Sequence, residues 1–133
     1  MAAVVIDAQP LVALVRGEPS MPEIKARLRR LRGSHGLITS SVTWCEVLYV
    51  IRRNDDAATA VRASRLLQEI GIAVVDVDTR LATYAAEVKA VHGLGLGDSF
   101  AAALALATDS PLMTADTDFL PLAEHGLKLD WLG

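Results

Sequence analysis

Val4-Val5-Ile6-Asp7 is the stretch that decides the fold. Three β-branched residues followed at once by an acid read as a strand buried on both faces in the middle of a parallel sheet. Such a strand points its last residue out of the carboxyl edge of the sheet, where open α/β sheets place their ligand crevice. Asp7 therefore has an address, and the candidate site consists of whatever else the chain delivers there.

Working outward, helical and extended segments alternate. Pro10 suits the first turn of a helix over Ala8–Val15, which Gly17 and Pro19 break. Ile24, Leu28 and Leu31 form one stripe of a second helix from Met21 to Leu31. Gly33 and Gly36 bracket a turn into a short strand, Leu37-Ile38-Thr39. Ser40 or Ser41 can cap a helix carrying Val42, Trp44, Val47, Leu48 and Ile51. Asn54-Asp55-Asp56 ends it and starts another, which runs to about Ile70 and is closed by Gly71. Ile72–Val75 is a third strand, followed by a helix ending near His92. A glycine-rich loop, Gly93 to Ser99, then opens an apolar helix over Phe100–Thr108. Pro111–Thr114 reads as a fourth strand, Ala115–Phe119 turns into a short helix, and Leu127-Lys128-Leu129 as an edge strand. This alternation predicts an α/β fold with a mainly parallel sheet, and the 133 residues are read as one domain, 1–133.

Composition narrows the function classes. Apolar residues make up 52% of the chain, which argues for a packed core rather than disorder. The single cysteine, Cys45, allows no intrachain disulfide and no thiol cluster for zinc, and points to a reducing compartment, the cytoplasm. It is expected to be a small core residue. No secretory leader and no membrane-spanning segment are expected. Sixteen acids against thirteen bases disfavour a protein that coats nucleic acid nonspecifically. Bases nevertheless crowd locally: Lys25, Arg27, Arg29, Arg30 and Arg32 form one group, and Arg52-Arg53 a smaller one. Either group can grip a phosphate backbone or serve as a solvated helix face.

The acids carry the chemistry. Asp7, Asp98 and Asp116 each stand where a strand or loop gives way to a helix, so each can be a helix N-cap, and capping does not preclude ligation. Glu46 lies in an apolar helical stretch whose positions three and four away hold no base. Buried there, its charge needs a tertiary base or a bound cation. Four carboxylates converging without bases between them are stable chiefly around a divalent cation. An all-oxygen ligand set favours Mg2+ or Mn2+ over zinc, and hydrolytic phosphoryl transfer is the chemistry such a centre performs. His35, His92 and His125 share no ligand spacing, and Trp44 is read as core.

Taken together, these segments resemble the PIN domains, and within them the VapC-type toxins of toxin–antitoxin pairs. Val5-Ile6-Asp7-Ala8 is similar to the first family motif and Thr43-Trp44-Cys45-Glu46-Val47 to the second. Leu96-Gly97-Asp98-Ser99-Phe100-Ala101 resembles the third, with Ser99 where alanine is usual, and Thr114-Ala115-Asp116-Thr117-Asp118-Phe119 the fourth. Four motifs in order along essentially the whole chain make the likeness specific. It implies a three-layer α/β/α sandwich and a Mg2+- or Mn2+-dependent endoribonuclease that leaves a 5′-phosphate and a 3′-hydroxyl. Asp7 and Asp98 would be the principal metal ligands, with Glu46 and Asp116 completing the site. Either Asp116 or Asp118 supplies the fourth acid; Asp116 follows Thr114 at the family spacing. Thr114 would orient a water or phosphate, or bond the backbone. The likeness also implies a homodimer and a VapB-type antitoxin lying across the groove, in a heterotetramer or larger assembly. The alternatives are a non-catalytic PIN-like module that only docks a partner, and a nuclease acting on another nucleic acid. A receiver or a haloacid-dehalogenase-like phosphatase is disfavoured, since Ala8 and Gln9 stand where those folds need further acids.

Overall fold

In the computed structural model, which describes residues 3–32 and 36–133, the predicted central strand β1 (Ala3–Ile6) holds the middle of a five-stranded sheet. Along the chain follow α1 (Ala8–Arg16), α2 (Met21–Arg32), β2 (Gly36–Ser40), α3 (Ser41–Asn54), α4 (Ala57–Ile70) and β3 (Ile72–Val75). The second half adds α5 (Thr79–His92), α6 (Leu96–Ala107), β4 (Leu112–Thr114), a 3-10 helix (Thr117–His125) and β5 (Leu129–Trp131). The strand order is β3-β2-β1-β4-β5, and every neighbouring pair is parallel.

Successive residues of a strand face opposite sides, so β1 feeds two cores. Val4 and Ile6 pack with Leu11, Leu28, Val47 and Leu67 of α1 to α4 on one face. Val5 packs with Ala85, Ala102, Leu104 and Phe119 of α5, α6 and the 3-10 helix on the other. Each fully buried Ile, Leu or Phe contributes roughly 1.5–3 kcal/mol. This is the three-layer arrangement that the resemblance to the PIN domains implies. The connections from β1 to β3 cover the first face and those from β3 to β5 the second. Strand order therefore reverses between β1 and β4, and the crevice above their carboxyl ends is the switch point of the sheet.

Several expectations are corrected. The helix expected from Phe100 begins at Leu96, with Gly95 as its N-cap. The edge strand lies at Leu129–Trp131 rather than Leu127–Leu129. Leu127 is instead buried in the second core, and Arg27 reaches across from α2 to fix Asp130 at 2.6 Å and the Trp131 carbonyl at 3.0 Å. Cys45 is exposed, not core. Thr43, Val47 and Ile51 define the inward stripe of α3, and a residue two positions from Thr43 and from Val47 turns outward. Trp44 is partly buried against the first core. The turn at Gly33 and the residue His35 lie outside the described residues. Among the described residues no single helix is long and apolar enough to cross a membrane.

Candidate active site

Asp7 follows β1 and caps α1, its Oδ1 accepting from the Ala8 amide at 2.9 Å. Its Oδ2 accepts from the Thr114 hydroxyl, at the end of the adjacent strand β4, at 2.8 Å. The same Thr114 oxygen accepts from the Asp116 amide at 3.0 Å. Of the two roles expected for Thr114 the bond to the backbone is the one found, and with it the hydroxyl ties the first acid to the backbone that carries the fourth. Asp116 in turn caps the 3-10 helix, accepting from the Asp118 amide at 2.9 Å. Two neighbouring strand ends are joined by this carboxylate–hydroxyl–amide chain, which fixes the spacing of Asp7 and Asp116 before anything binds.

Asp98 does not cap its helix. Because α6 begins at Leu96, Asp98 stands in the first turn, behind the Gly95 cap. Ser99 is buried and its hydroxyl donates to the Gly95 carbonyl at 2.8 Å, so it leaves no polar atom unpaired. Glu46 enters from α3 and lies against the same turn: a Cβ at Gly97 would overlap the Glu46 carboxylate itself. Gly97 is therefore less a flexible link than the space that lets α3 and α6 bring two acids together. The ion pairs of the described residues join Arg16 to Asp55, Arg27 to Glu23 and Asp130, and Lys128 to Asp109. None reaches these acids, so Glu46 lacks the tertiary base that could have explained it.

The electrostatic consequence is strong. Burial raises the Asp7 carboxyl above the ordinary aspartate range, partly offset by the bonds from Thr114 and Ala8. Burial, and then the charge of Asp7, raises Glu46. Asp98 is pushed up to about 7, first by burial and then by Asp7, Asp116, Glu46 and Asp118. An acid in the first turn of a helix is normally favoured by the helix dipole. Here burial, and after it the neighbouring carboxylates, outweigh that effect.

The tightest grouping is Asp98, Asp116 and Asp118, each offering an oxygen within 4.8 Å of the others. The alternatives Asp116 and Asp118 are thus not exclusive: Asp118 is both an exposed first-turn acid and a member of the cluster. The signal for this was the Asp116-Thr117-Asp118 spacing, which a tight cap folds back on itself. Asp7 and Glu46 adjoin the grouping through their effect on Asp98. The rings of His92 and His125, unrelated in sequence, lie 4.9 Å apart at the ends of α5 and the 3-10 helix.

Comparison with known proteins shows the family. A family model described as the PIN domain matches residues 4–124. A VapC ribonuclease of Mycobacterium bovis is 31% identical over 123 residues, covering 86% of this chain and 92% of that one. Among solved structures, the VapBC2 complex of Rickettsia felis bound to a promoter DNA fragment contains a chain similar at a TM-score of 0.80 and 16% identity, over 96% of this chain and 97% of that one. VapC20 of Mycobacterium tuberculosis, described as a toxin cleaving the sarcin–ricin loop, is similar at a TM-score of 0.73 and 20% identity, over 90% and 94% of the two chains.

Proposed function

Because the chain belongs to the PIN-domain family and draws its acids together at the switch point of the sheet, we propose that it is a divalent-metal-dependent endoribonuclease, the toxin of a VapBC-type pair acting in the cytoplasm. The observation that carries this reading is the convergence of carboxylates with no base paired to them among the described residues, where burial and then mutual repulsion hold Asp98 well above the ordinary aspartate range.

The donor set fits a hard cation. Every group is an oxygen, which suits Mg2+ or Mn2+, and a cation would offset both the burial and the repulsion that raise Asp98. Asp7, Glu46, Asp98 and Asp116 would hold it, with Asp118 bordering them. When bound, such an ion supplies charge neutralisation and the activation of water for phosphodiester hydrolysis. The chain's own residues do the positioning. Thr114 locks the Asp7 carboxylate, leaving Asp7 little rotamer freedom to lose on binding. Gly97 admits Glu46. In the group from Lys25 to Arg32, Arg27 is committed to Asp130, whereas Lys25, Arg29, Arg30 and Arg32 are exposed and free to meet RNA phosphates. A homodimer and a VapB-type antitoxin covering the carboxylates complete the proposal.

Incubating the purified chain with total RNA in Mg2+, Mn2+ or EDTA, beside Asp98→Asn, tests it. Discrete cleavage that needs metal and is lost in the variant is expected. Metal-binding, folded protein that cuts no RNA would instead favour the docking module.

A further inference from the structure

A cavity of about 140 Å3 opens between the first turns of α1 and α2. Its floor is apolar and includes the buried Pro10, Ala13 and Ile24, while the exposed Gln9, Ser20 and Glu23 stand at its rim. Ala115 lines the side nearest the acids; it is bonded to Asp116, and Gln9 is two residues from Asp7. The cavity therefore adjoins the carboxylates along the chain without containing any of them.

We propose that this cavity receives one base of the RNA next to the scissile phosphodiester, and that Gln9 and Glu23 read its edge in favour of guanine. The inference rests on the nuclease reading above. Sequence-specific proteins recognise single-stranded RNA by splaying a base out of the stack, packing its faces on apolar groups and bonding its edge. A small hollow with an apolar floor and a few polar rim groups is built for that kind of ligand. Among the described residues its lining holds no lysine or arginine, so an anionic phosphate is disfavoured there and a neutral ring is not. The rim chemistry selects further. A carboxylate only accepts, whereas a glutamine amide both donates and accepts. Guanine presents two adjacent donors, N1–H and the N2 amine, beside the acceptor O6. Glu23 can accept from both donors while the Gln9 amide donates to O6. Uracil offers a single donor between two carbonyl oxygens and would set one of them against the Glu23 carboxylate. Glu23 is available for this, because its own side chain is exposed and its contact with Arg27 is long, at 3.6 Å.

The test has a cleavage arm and a binding arm. In the first, a degenerate RNA pool is cut in Mn2+ by wild type, Gln9→Ala and Glu23→Gln, and the ends are sequenced. Wild type should favour guanine over uracil by about tenfold or more at one fixed position beside the cut, the size of one good bidentate contact. Glu23→Gln should reduce that preference to about threefold or less. In the second arm, fluorescent trinucleotides containing guanine or uracil are titrated into Asp98→Asn with intact Gln9 and Glu23, and into the double variant with Glu23→Gln. About tenfold tighter binding of the guanine ligand, lost with Glu23, is expected. Equal affinity for both ligands, or a cleavage preference unchanged in both rim variants, overturns the inference even if the enzyme cuts RNA. Guanine-selective binding by a chain that cuts nothing would support the cavity and remove the nuclease reading.

Discussion

Asp98→Asn should stabilise the metal-free protein at alkaline pH while abolishing its response to a divalent cation. The carboxyl rises from 3.8 to about 7, chiefly through burial and then through Asp7, Asp116, Glu46 and Asp118. Between those two values the folded chain holds a proton that the unfolded chain has released. Stability therefore falls as pH rises through that window, and the loss is complete above about 7. Taken at face value the displacement corresponds to roughly 4 kcal/mol. The carboxylate is only partly buried, so solvent screening leaves on the order of 1–2 kcal/mol. The lost interaction with the amino end of α6 subtracts about 0.3–1 kcal/mol. For a domain of this size the balance, at most about 1.7 kcal/mol, is a rise in Tm of up to roughly 6 °C. Calorimetric melting at about pH 5 and pH 8, in EDTA and in Mn2+, reads the effect. In EDTA the variant should melt higher at the alkaline pH, with a smaller advantage at the acid one. With Mn2+ at a hundredfold excess over its Kd, wild type should gain about 2.7 kcal/mol and the variant much less. A variant less stable than wild type in EDTA at pH 8, or one whose advantage is no greater at pH 8 than at pH 5, would refute the raised carboxyl of Asp98.

Other consequences follow from single contacts. Gly97→Ala should force the Glu46 carboxylate out of its seat, lowering metal-dependent cleavage at least about tenfold with an unchanged circular dichroism spectrum. Thr114→Val removes the hydroxyl that serves both Asp7 and the Asp116 amide; denaturant melts should show a loss of about 1–3 kcal/mol and titration a weaker affinity for Mn2+. Arg27→Met cuts the link from α2 to β5, and hydrogen exchange should quicken at the Leu132 amide, which donates to the Thr114 carbonyl, before it quickens in β1. Phe119→Ala should cost about 3–5 kcal/mol, since the ring is fully buried in the second core.

The parts of the fold that were legible in the sequence are those set by local chemistry. The β-branched runs mark β1 and β3, and Ile72–Val75 is found at the bounds read for it. Caps and closures follow the same logic: Asp56 and Asp78 start α4 and α5, and Gly71 ends α4 at a φ of +99°. What could not be read is what distant contacts decide. Gly93 to Gly97 has the composition of a loop, yet its last two residues are helical, because Gly97 must lie flush against Glu46 of α3. The register of β5 depends on Arg27, more than a hundred residues away. Cys45 is apolar enough for a core and faces outward only because of the phase of α3. At the site, the four acids were legible as residue types. The bond from Thr114 to Asp7, and the entry of Asp118 into the cluster, required the fold of the β4 turn.

Whether these acids hold a divalent cation is tested most directly by a titration of Mn2+ into the metal-free chain, followed by electron paramagnetic resonance. Saturable binding that Asp98→Asn or Asp7→Asn weakens at least about tenfold is the predicted result. Binding that neither variant weakens, or no binding by correctly folded protein, would contradict the metal centre and the hydrolytic chemistry built on it.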